Sequence, residues 1–399
     1  MPNTDSTPDS GLLNMLALAR LKEVGPIRAG RLLAAFGSPD AVFGASISQL
    51  CSVEGIGTKT AEGIARDVGR ARSAAEREIE RAAALGARIV TQFDADYPPL
   101  LRDLPDRPVV LSVLGTLEPE GRDRFAVGIV GSRKCSVYGQ EQANRFGAAL
   151  ASAGLTMASG GARGIDSAAH RGAVSAGGRT AVVLGCGLAH VYPPENRALF
   201  DQIVEANGCV LSELPIDAPP DKLNFPARNR IISGMSLGVL VIEAAMRSGA
   251  LITARVAAEE HGREVFALPG RVDSDAIAGS LGLLKSGGAH LVTEPADVLS
   301  LLESPARHLA GGTHASRYGM SLTPTASSPS EPATPPRPRR PQHAEGTPER
   351  RVLDALTEPK TADAIAEATG LDTSETRRLV TMLELSGEVR RSGSKIARV

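Results

Sequence analysis

The run Leu237-Gly-Val-Leu-Val-Ile242 constrains this chain more than any other stretch. It is apolar throughout and rich in β-branched residues, the pattern of a strand covered on both faces by helices in a parallel sheet. Its surroundings narrow the reading further. Upstream, Lys222, Phe225, Arg228 and Arg230 place one ring and three cations in a short span. Downstream, after Glu243, Ser248-Gly249 opens a helical pattern that reaches His261. The first N–H groups of a helix have no partner within it, so a strand delivering a Ser/Gly turn onto a helix start suits an anion. A ring, three cations and such a turn fit a ligand made of bases and phosphates, which is to say a nucleic acid.

The same texture extends from Arg124 to about residue 300. Strand patterns fall at Phe125–Val130, Leu155–Ala158, Thr180–Leu184, Cys209–Leu211, Leu237–Ile242, Glu264–Ala267 and His290–Val292. Helical patterns alternate with most of them, at Gly139–Ala153, Ile165–Ala176, Glu195–Ala206, Gly249–His261 and Leu281–Ser286. This alternation predicts an α/β fold: a Rossmann-like, doubly wound, mostly parallel sheet, with ligands at the carboxyl ends of its strands.

Three predicted strand ends carry glycine-rich turns: Val130-Gly-Ser-Arg133, Ser159-Gly-Gly-Ala-Arg-Gly-Ile-Asp166 and Gly185-Cys-Gly187. None spells a complete ATPase P-loop or dinucleotide fingerprint. Each glycine alone needs no more explanation than strand-to-helix geometry. As a set, with Arg133, Arg163 and the 222–230 cluster, they read as a groove lined for phosphate. Asp166 is expected to cap a helix or orient Arg163, and His170 to pack or to lie at the surface. Glu213 and Glu243 close two strands and could serve as acid and base, although Glu243 has Arg247 nearby to pair with. No Ser or Cys nucleophile is spaced to use His170 as a base, so the chain is expected not to be an enzyme.

The flanks differ from this core. Residues 11–90 read as a helical domain with helix-hairpin-helix character, in which Gly55-Ile-Gly57 would bring backbone to a DNA phosphate beside Thr58 and Lys59. A plain helical bundle explains the same glycines. Tyr97-Pro-Pro-Leu-Leu101 reads as a stiff extended connection into the core at 91–302. Residues 303–347 are rich in Pro, Ser, Thr and Ala and are expected to form a disordered linker, as are residues 1–10 at the start. Residues 348–399 recover helical periodicity and end in a hairpin pattern, the plan of a winged helix with Ser374–Ser386 as the recognition-type helix. Glu375, Glu384 and Glu388 dilute its charge, so a protein-contacting or vestigial module suits it as well as a DNA reader.

Bulk properties exclude several classes. A net charge of −1 rules out general attraction to nucleic acid, so binding has to come from a local groove. Lysine is confined to positions 22, 59, 134, 222, 285, 360 and 395, and aromatics make up 3% of the chain, which draws the eye to Lys222 and Phe225. The four cysteines, at 51, 135, 186 and 209, are scattered singly; neither disulfides nor a structural metal is expected, and a reducing cytoplasm suits them. No apolar run is long enough to span a membrane and no secretory signal is apparent.

The core motifs, taken in order, resemble a known family. GIVGSR (128–133), SGGARGIDSAAHRGA (159–173), VLGCGL (183–188), YPPENRALF (192–200), FPARNRIISGMSLGVLVIEAA (225–245), SGALITARVAAEEHGREVFALPG (248–270) and LLKSGGAHLV (283–292) are similar to the DNA-processing protein A family, also called Smf. The resemblance implies a cytoplasmic bacterial protein with no cofactor. It would bind single-stranded DNA regardless of sequence, protect incoming strands during natural transformation and load a RecA-type recombinase in place of single-strand-binding protein. It also implies a homodimer. Carried onto this chain, Gly131, Ser132 and Arg133 would hold one phosphate, with Gly160, Gly161, Arg163 and Gly164 lining the same pocket. Lys222 and Arg228 would meet neighbouring phosphates and Phe225 would stack a base. Asn229 and Arg230 would brace the loop, and Ser248 and Gly249 would donate backbone N–H groups. Two departures stand out: Gly160-Gly161 where the family has Gly-Leu, and Gly279-Ser280-Leu281 where it has Gly-Ser/Thr-Asn.

Two other classes compete. A nucleotide phosphoribohydrolase of the lysine-decarboxylase-like group shares the architecture, but its Pro-Gly-Gly-x-Gly-Thr signature is missing. A transcriptional regulator would use the winged helix to read duplex DNA and the core to sense a ligand.

Overall fold

The computed structural model describes residues 10–311, 314, 343–344 and 346–399. The expected class is what the chain adopts: mixed α/β with a mostly parallel sheet, a helical hairpin region near the amino end and a winged helix near the carboxyl end. The chain divides into two compact units, the first made of residues 1–121 and 181–235 and the second of 122–180 and 236–399.

The first unit opens with helices α1 (Ser10–Ala19), α2 (Pro26–Phe36), α3 (Pro39–Gly44), α4 (Ile47–Cys51) and α5 (Thr58–Ala84). Their apolar faces close one core around Leu16, Leu18, Leu32, Leu50 and Ile64, which also takes in Val110. Strands β1 (Ala87–Thr91) and β2 (Val110–Gly115) pair antiparallel, β2 pairs antiparallel with β6 (Cys209–Ser212), and β6 lies parallel to β5 (Thr180–Val183). Helices α6 (Pro99–Arg102), α9 (Arg197–Glu205) and α10 (Asn224–Gly234) complete the unit.

Two of these elements correct the sequence reading. The segment 97–101 is not an extended connection: Pro99 starts α6, where a missing N–H costs nothing at a helix's first position. Nor are most of the residues 222–230 a loop: Lys222 and Leu223 make a turn, and Asn224 to Gly234 form α10. Pro226 sits in its first turn, which a helix tolerates, and its burial of Arg228 beside Ile231 and Ile232 hides the usual amphipathic signature.

In the second unit the parallel order is β4 (Thr156–Ser159), β3 (Ala126–Val130), β7 (Gly238–Val241), β8 (Glu264–Ala267) and β9 (His290–Leu291). Every residue of β3, β4 and β7 is buried, as the apolar runs require. The crossovers are α7 (Val137–Ser152), α8 (Ile165–Ser175) and α11 (Gly249–Arg255), which continues as a π-helical turn to Glu260. Helix α12 (Ala278–Lys285) precedes β9 and α13 (Pro295–Ala310) follows it. The linker was expected from residue 303, yet α13 carries on to Ala310 with Leu302 and Ala306 buried, and it accommodates Pro305 internally. The rest of that expected linker lies mostly outside the described residues, as do residues 1–9.

Helices Pro348–Ala355, Ala362–Thr369 and Thr373–Leu385, followed by the antiparallel strands β10 (Val389–Ser392) and β11 (Lys395–Arg398), form the winged helix. Its small core gathers Val352, Ile365, Leu379, Leu383 and Ile396. Among the described residues, no helix is long and apolar enough to cross a membrane.

Candidate nucleic-acid interface

In the second unit, the turns after β3, β4 and β7 lie at the carboxyl edge of neighbouring parallel strands. The turn after β3 is fixed by Glu243, which ends β7. The Ser132 N–H donates to the Glu243 carbonyl oxygen at 2.7 Å. The Ser136 N–H and hydroxyl donate to the two carboxylate oxygens of Glu243 at 2.9 and 2.5 Å. Ser136 in turn caps α7 by accepting from the Gly139 N–H. Glu243 is therefore a buried brace for residues 131–139. Its expected pairing with Arg247 is replaced by these bonds, which complete the hydrogen bonding that a buried carboxylate requires.

Gly131 sits against Ile165 and the Glu243 carbonyl, with no room for a side chain. Gly164 has φ +76°, and a Cβ there would overlap the Ser132 carbonyl oxygen; only glycine fits both demands. The Ile165 N–H donates to that same carbonyl at 3.2 Å, so the turns after β3 and β4 lock together. Asp166 neither caps α8 conventionally nor serves only Arg163: its carboxylate accepts from the Gly160 and Ala162 N–H groups at 3.1 and 3.3 Å. Gly160 and Gly161 are buried, whereas Arg133 and Arg163 reach the surface. His170 is buried with Nδ1 on the Thr180 hydroxyl at 2.7 Å, the packing role of the two expected. Ser248 caps α11 by accepting from the Ala250 N–H, and the space over Gly249 is open. At the departure from the family pattern, the Ser280 hydroxyl accepts from the Ala244 N–H at 3.0 Å and so supports the turn after β7.

In the first unit, the start of α10 faces the turn after β5. The Phe225 ring lies over Gly185 so closely that a Cβ on Gly185 would come 2.5 Å from its Cδ1. Tyr192 flanks the same ring, with centroids 5.5 Å apart and planes tilted by 32°. Sequence reasoning passed over Tyr192, although a tyrosine in an aromatic-poor chain was the available signal. Lys222 is exposed just ahead of the helix. Arg228, expected on a phosphate, is instead 5% exposed. Its Nε donates to Asn229 Oδ1 at 3.3 Å, and its charge is felt by Cys186, whose thiol burial nevertheless pushes up to about 11.

Arg230 also turns inward. It binds both carboxylate oxygens of Glu213 at 2.6 and 2.7 Å and approaches Asp106 at 3.4 Å, so it braces the fold through the Glu213 carboxylate. Arg20 holds the Glu213 carbonyl at 3.1 Å and Glu78 at 2.8 Å, while Glu78 accepts from the Ile216 N–H at 3.2 Å. In the helical hairpin, Gly55 (φ +81°) makes the turn, and Arg28 and Arg31 donate to the carbonyls of Gly55 and Glu54 at 3.0 and 3.1 Å.

The strands and turns thus define a Rossmann-like α/β protein flanked by helix-hairpin-helix and winged-helix modules. The sequence matches the family described as DNA recombination-mediator protein A over residues 88–303, and the chain belongs to that family. Residues 331–394 match the DprA winged helix domain and residues 15–68 a SAM-like helix-hairpin-helix tandem. Protein Smf of a Synechocystis species is 40% identical over 282 residues, which is 70% of this chain and 70% of that relative. Protein Smf of Escherichia coli is 47% identical over 207 residues, or 52% of this chain and 54% of that relative; the match thus spans about half of the latter's length. The X-ray structure of DNA processing protein A from Streptococcus pneumoniae superposes with a TM-score of 0.61 at 33% identity, covering 72% of this chain and 95% of the other.

Proposed function

We propose that this protein binds single-stranded DNA without regard to sequence and acts as a recombination mediator rather than as an enzyme. The observation that carries this reading is the Phe225 ring, held edge and face by Gly185 and Tyr192 beside the exposed Lys222. A ring so placed offers a π-face to any base, and a neighbouring cation meets the backbone; stacking of this kind contributes about 1–3 kcal/mol per base. In the second unit, Ser132, Arg133, Arg163 and the turn at Ser248-Gly249 supply the groups that phosphates accept, with Gly131, Gly160, Gly161 and Gly164 keeping those turns bare.

The two carboxylates that an enzyme would use are both committed. Glu243 is bonded to Ser132 and Ser136 through its carbonyl and carboxylate, and Glu213 to Arg230. This counts against the phosphoribohydrolase reading. Within the mediator reading, the partners are a RecA-type recombinase and single-strand-binding protein, the working form is a homodimer, and the setting is the bacterial cytoplasm during transformation or recombination. Arg228 and Arg230 hold α10 in place for Lys222 and Phe225, and Asn229 supports Arg228.

Fluorescence anisotropy with a labelled oligothymidine tests the reading through Phe225→Ala and Phe225→Tyr. The alanine variant is expected to lose about tenfold or more in affinity and the tyrosine variant to keep most of it. Equal affinity in all three proteins would contradict the stacking role.

A further inference from the structure

The carboxyl edge of the second unit carries large apolar groups that stay mostly in solvent, although the Met246 sulfur also lies near Gly282 of α12. Tyr138, at the start of α7, is 46% exposed, and Met246, in the turn after β7, is 67% exposed. Both stand on rigid supports. Tyr138 follows Ser136, whose N–H and hydroxyl are held by Glu243, and Gly139 is packed on the same carboxylate. Met246 follows in the turn after β7, which Ser280 holds by accepting from the Ala244 N–H, so each side chain stands on a hydrogen-bonded turn. Strands β3 and β7 are parallel neighbours, which puts the two turns side by side.

Cations alternate with these apolar groups along the edge. Arg163 is exposed in the turn after β4, Arg133 and Lys134 in the turn after β3, and Arg247 in the turn after β7. Following β4, β3 and β7 across the sheet therefore gives an exposed cation, two cations with an aromatic ring, and a thioether with a cation. A polypeptide docking surface has no need of that repeat. A flexible strand with a charge on every unit and an apolar face between charges does.

We propose that Tyr138 and Met246, with Lys134 and Arg247, form a second track for single-stranded nucleic acid, running over the turns after β3 and β7. The track rests on the single-strand reading and adds to it a set of contacts that only a longer strand engages. Tyr138 supplies a face for one base, Met246 a polarisable surface for the next, and the two cations meet the intervening phosphates.

Length dependence isolates it. Oligothymidines of increasing length are titrated against the full chain, Tyr138→Ala, Tyr138→Phe and the double variant Met246→Ala/Arg247→Ala. The track predicts that all four bind the shortest detectable oligomer alike. The parent and Tyr138→Phe then gain affinity with length, while Tyr138→Ala and the double variant forgo about five- to tenfold of that gain. Thermal unfolding of each variant separates lost contact from lost fold. Parallel length curves for all four proteins would overturn the track while leaving the stacking site at Phe225 intact. Failure of the parent chain to bind any oligothymidine would overturn both.

Discussion

Ser136 donates twice to Glu243, once from its backbone and once from its hydroxyl, and that pair decides what Glu243 does. From sequence, a carboxylate at the end of a central strand could serve as an acid or base or simply pair with Arg247. Buried and bonded to the loop 131–139, it is a brace for the loop that presents Arg133. Glu243→Gln and Ser136→Ala are each expected to destabilise the protein by about 1–3 kcal/mol, since charge-assisted bonds are lost. Urea titration measures the loss. Neither the parent chain nor the variants should cleave a nucleoside monophosphate, and measurable cleavage that vanished in Glu243→Gln would restore the enzyme reading.

Arg230 and Lys222 separate stability from binding. Arg230 bridges Glu213 and Asp106 with a side chain 13% exposed, whereas Lys222 is at the surface. Arg230→Ala should lower stability by about 1–3 kcal/mol and reduce DNA affinity only as α10 loosens. Lys222→Glu should unfold at the parent temperature yet bind DNA poorly. Calorimetry beside a binding titration shows which residue does which, and the reverse pattern would exchange their roles.

Asp123 and Arg179 form a bidentate pair at 2.5 Å on both arms, with side chains only 6% and 7% exposed, and Thr156 donates to the same carboxylate at 2.8 Å. Asp123→Ala removes two charge-assisted bonds from a buried guanidinium and should cost about 3–5 kcal/mol. Replacing both partners by apolar residues of similar volume should cost less than the single change. Denaturant midpoints of the three proteins check this, and a harmless single substitution would mean that the pair contributes nothing.

Gly185 carries the tightest constraint on the Phe225 ring. Gly185→Val must push the ring aside, because even a Cβ would meet it at 2.5 Å. Single-strand affinity should fall about as far as in Phe225→Ala, and Phe225→Ala combined with Gly185→Val should bind no worse than either alone. Additive losses would show that the two residues act separately.

Much of this was legible in the sequence. Leu237–Ile242 announced a strand buried on both faces, and the turns at 131–133 and 160–164 stood at strand ends as expected. What escaped was whatever depends on partners distant in the chain. Helix α10 hides behind Pro226 and a buried Arg228, so its residues scan as a loop. Strand β2 gains its place from pairing with β1 and β6 rather than from a strong alternation of its own. Asp166 lies close in sequence to the N–H groups it holds, but whether its carboxylate turned to Arg163 or to the Gly160 turn was a matter of rotamer. The inward turn of Arg230 was hidden because its partners, Glu213 and Asp106, are distant from it in the chain.

The central claim is single-strand binding by a local cationic and aromatic site on a chain of near-zero net charge. The most direct measurement is a titration of oligonucleotides of scrambled sequence, single-stranded against duplex, at several salt concentrations, for the parent chain and Lys222→Glu. The account predicts tighter binding to single strands, indifference to base order, an affinity that falls with salt, and a weaker, flatter salt dependence in Lys222→Glu. Preference for duplex, or an unchanged salt slope and affinity in Lys222→Glu, would contradict it.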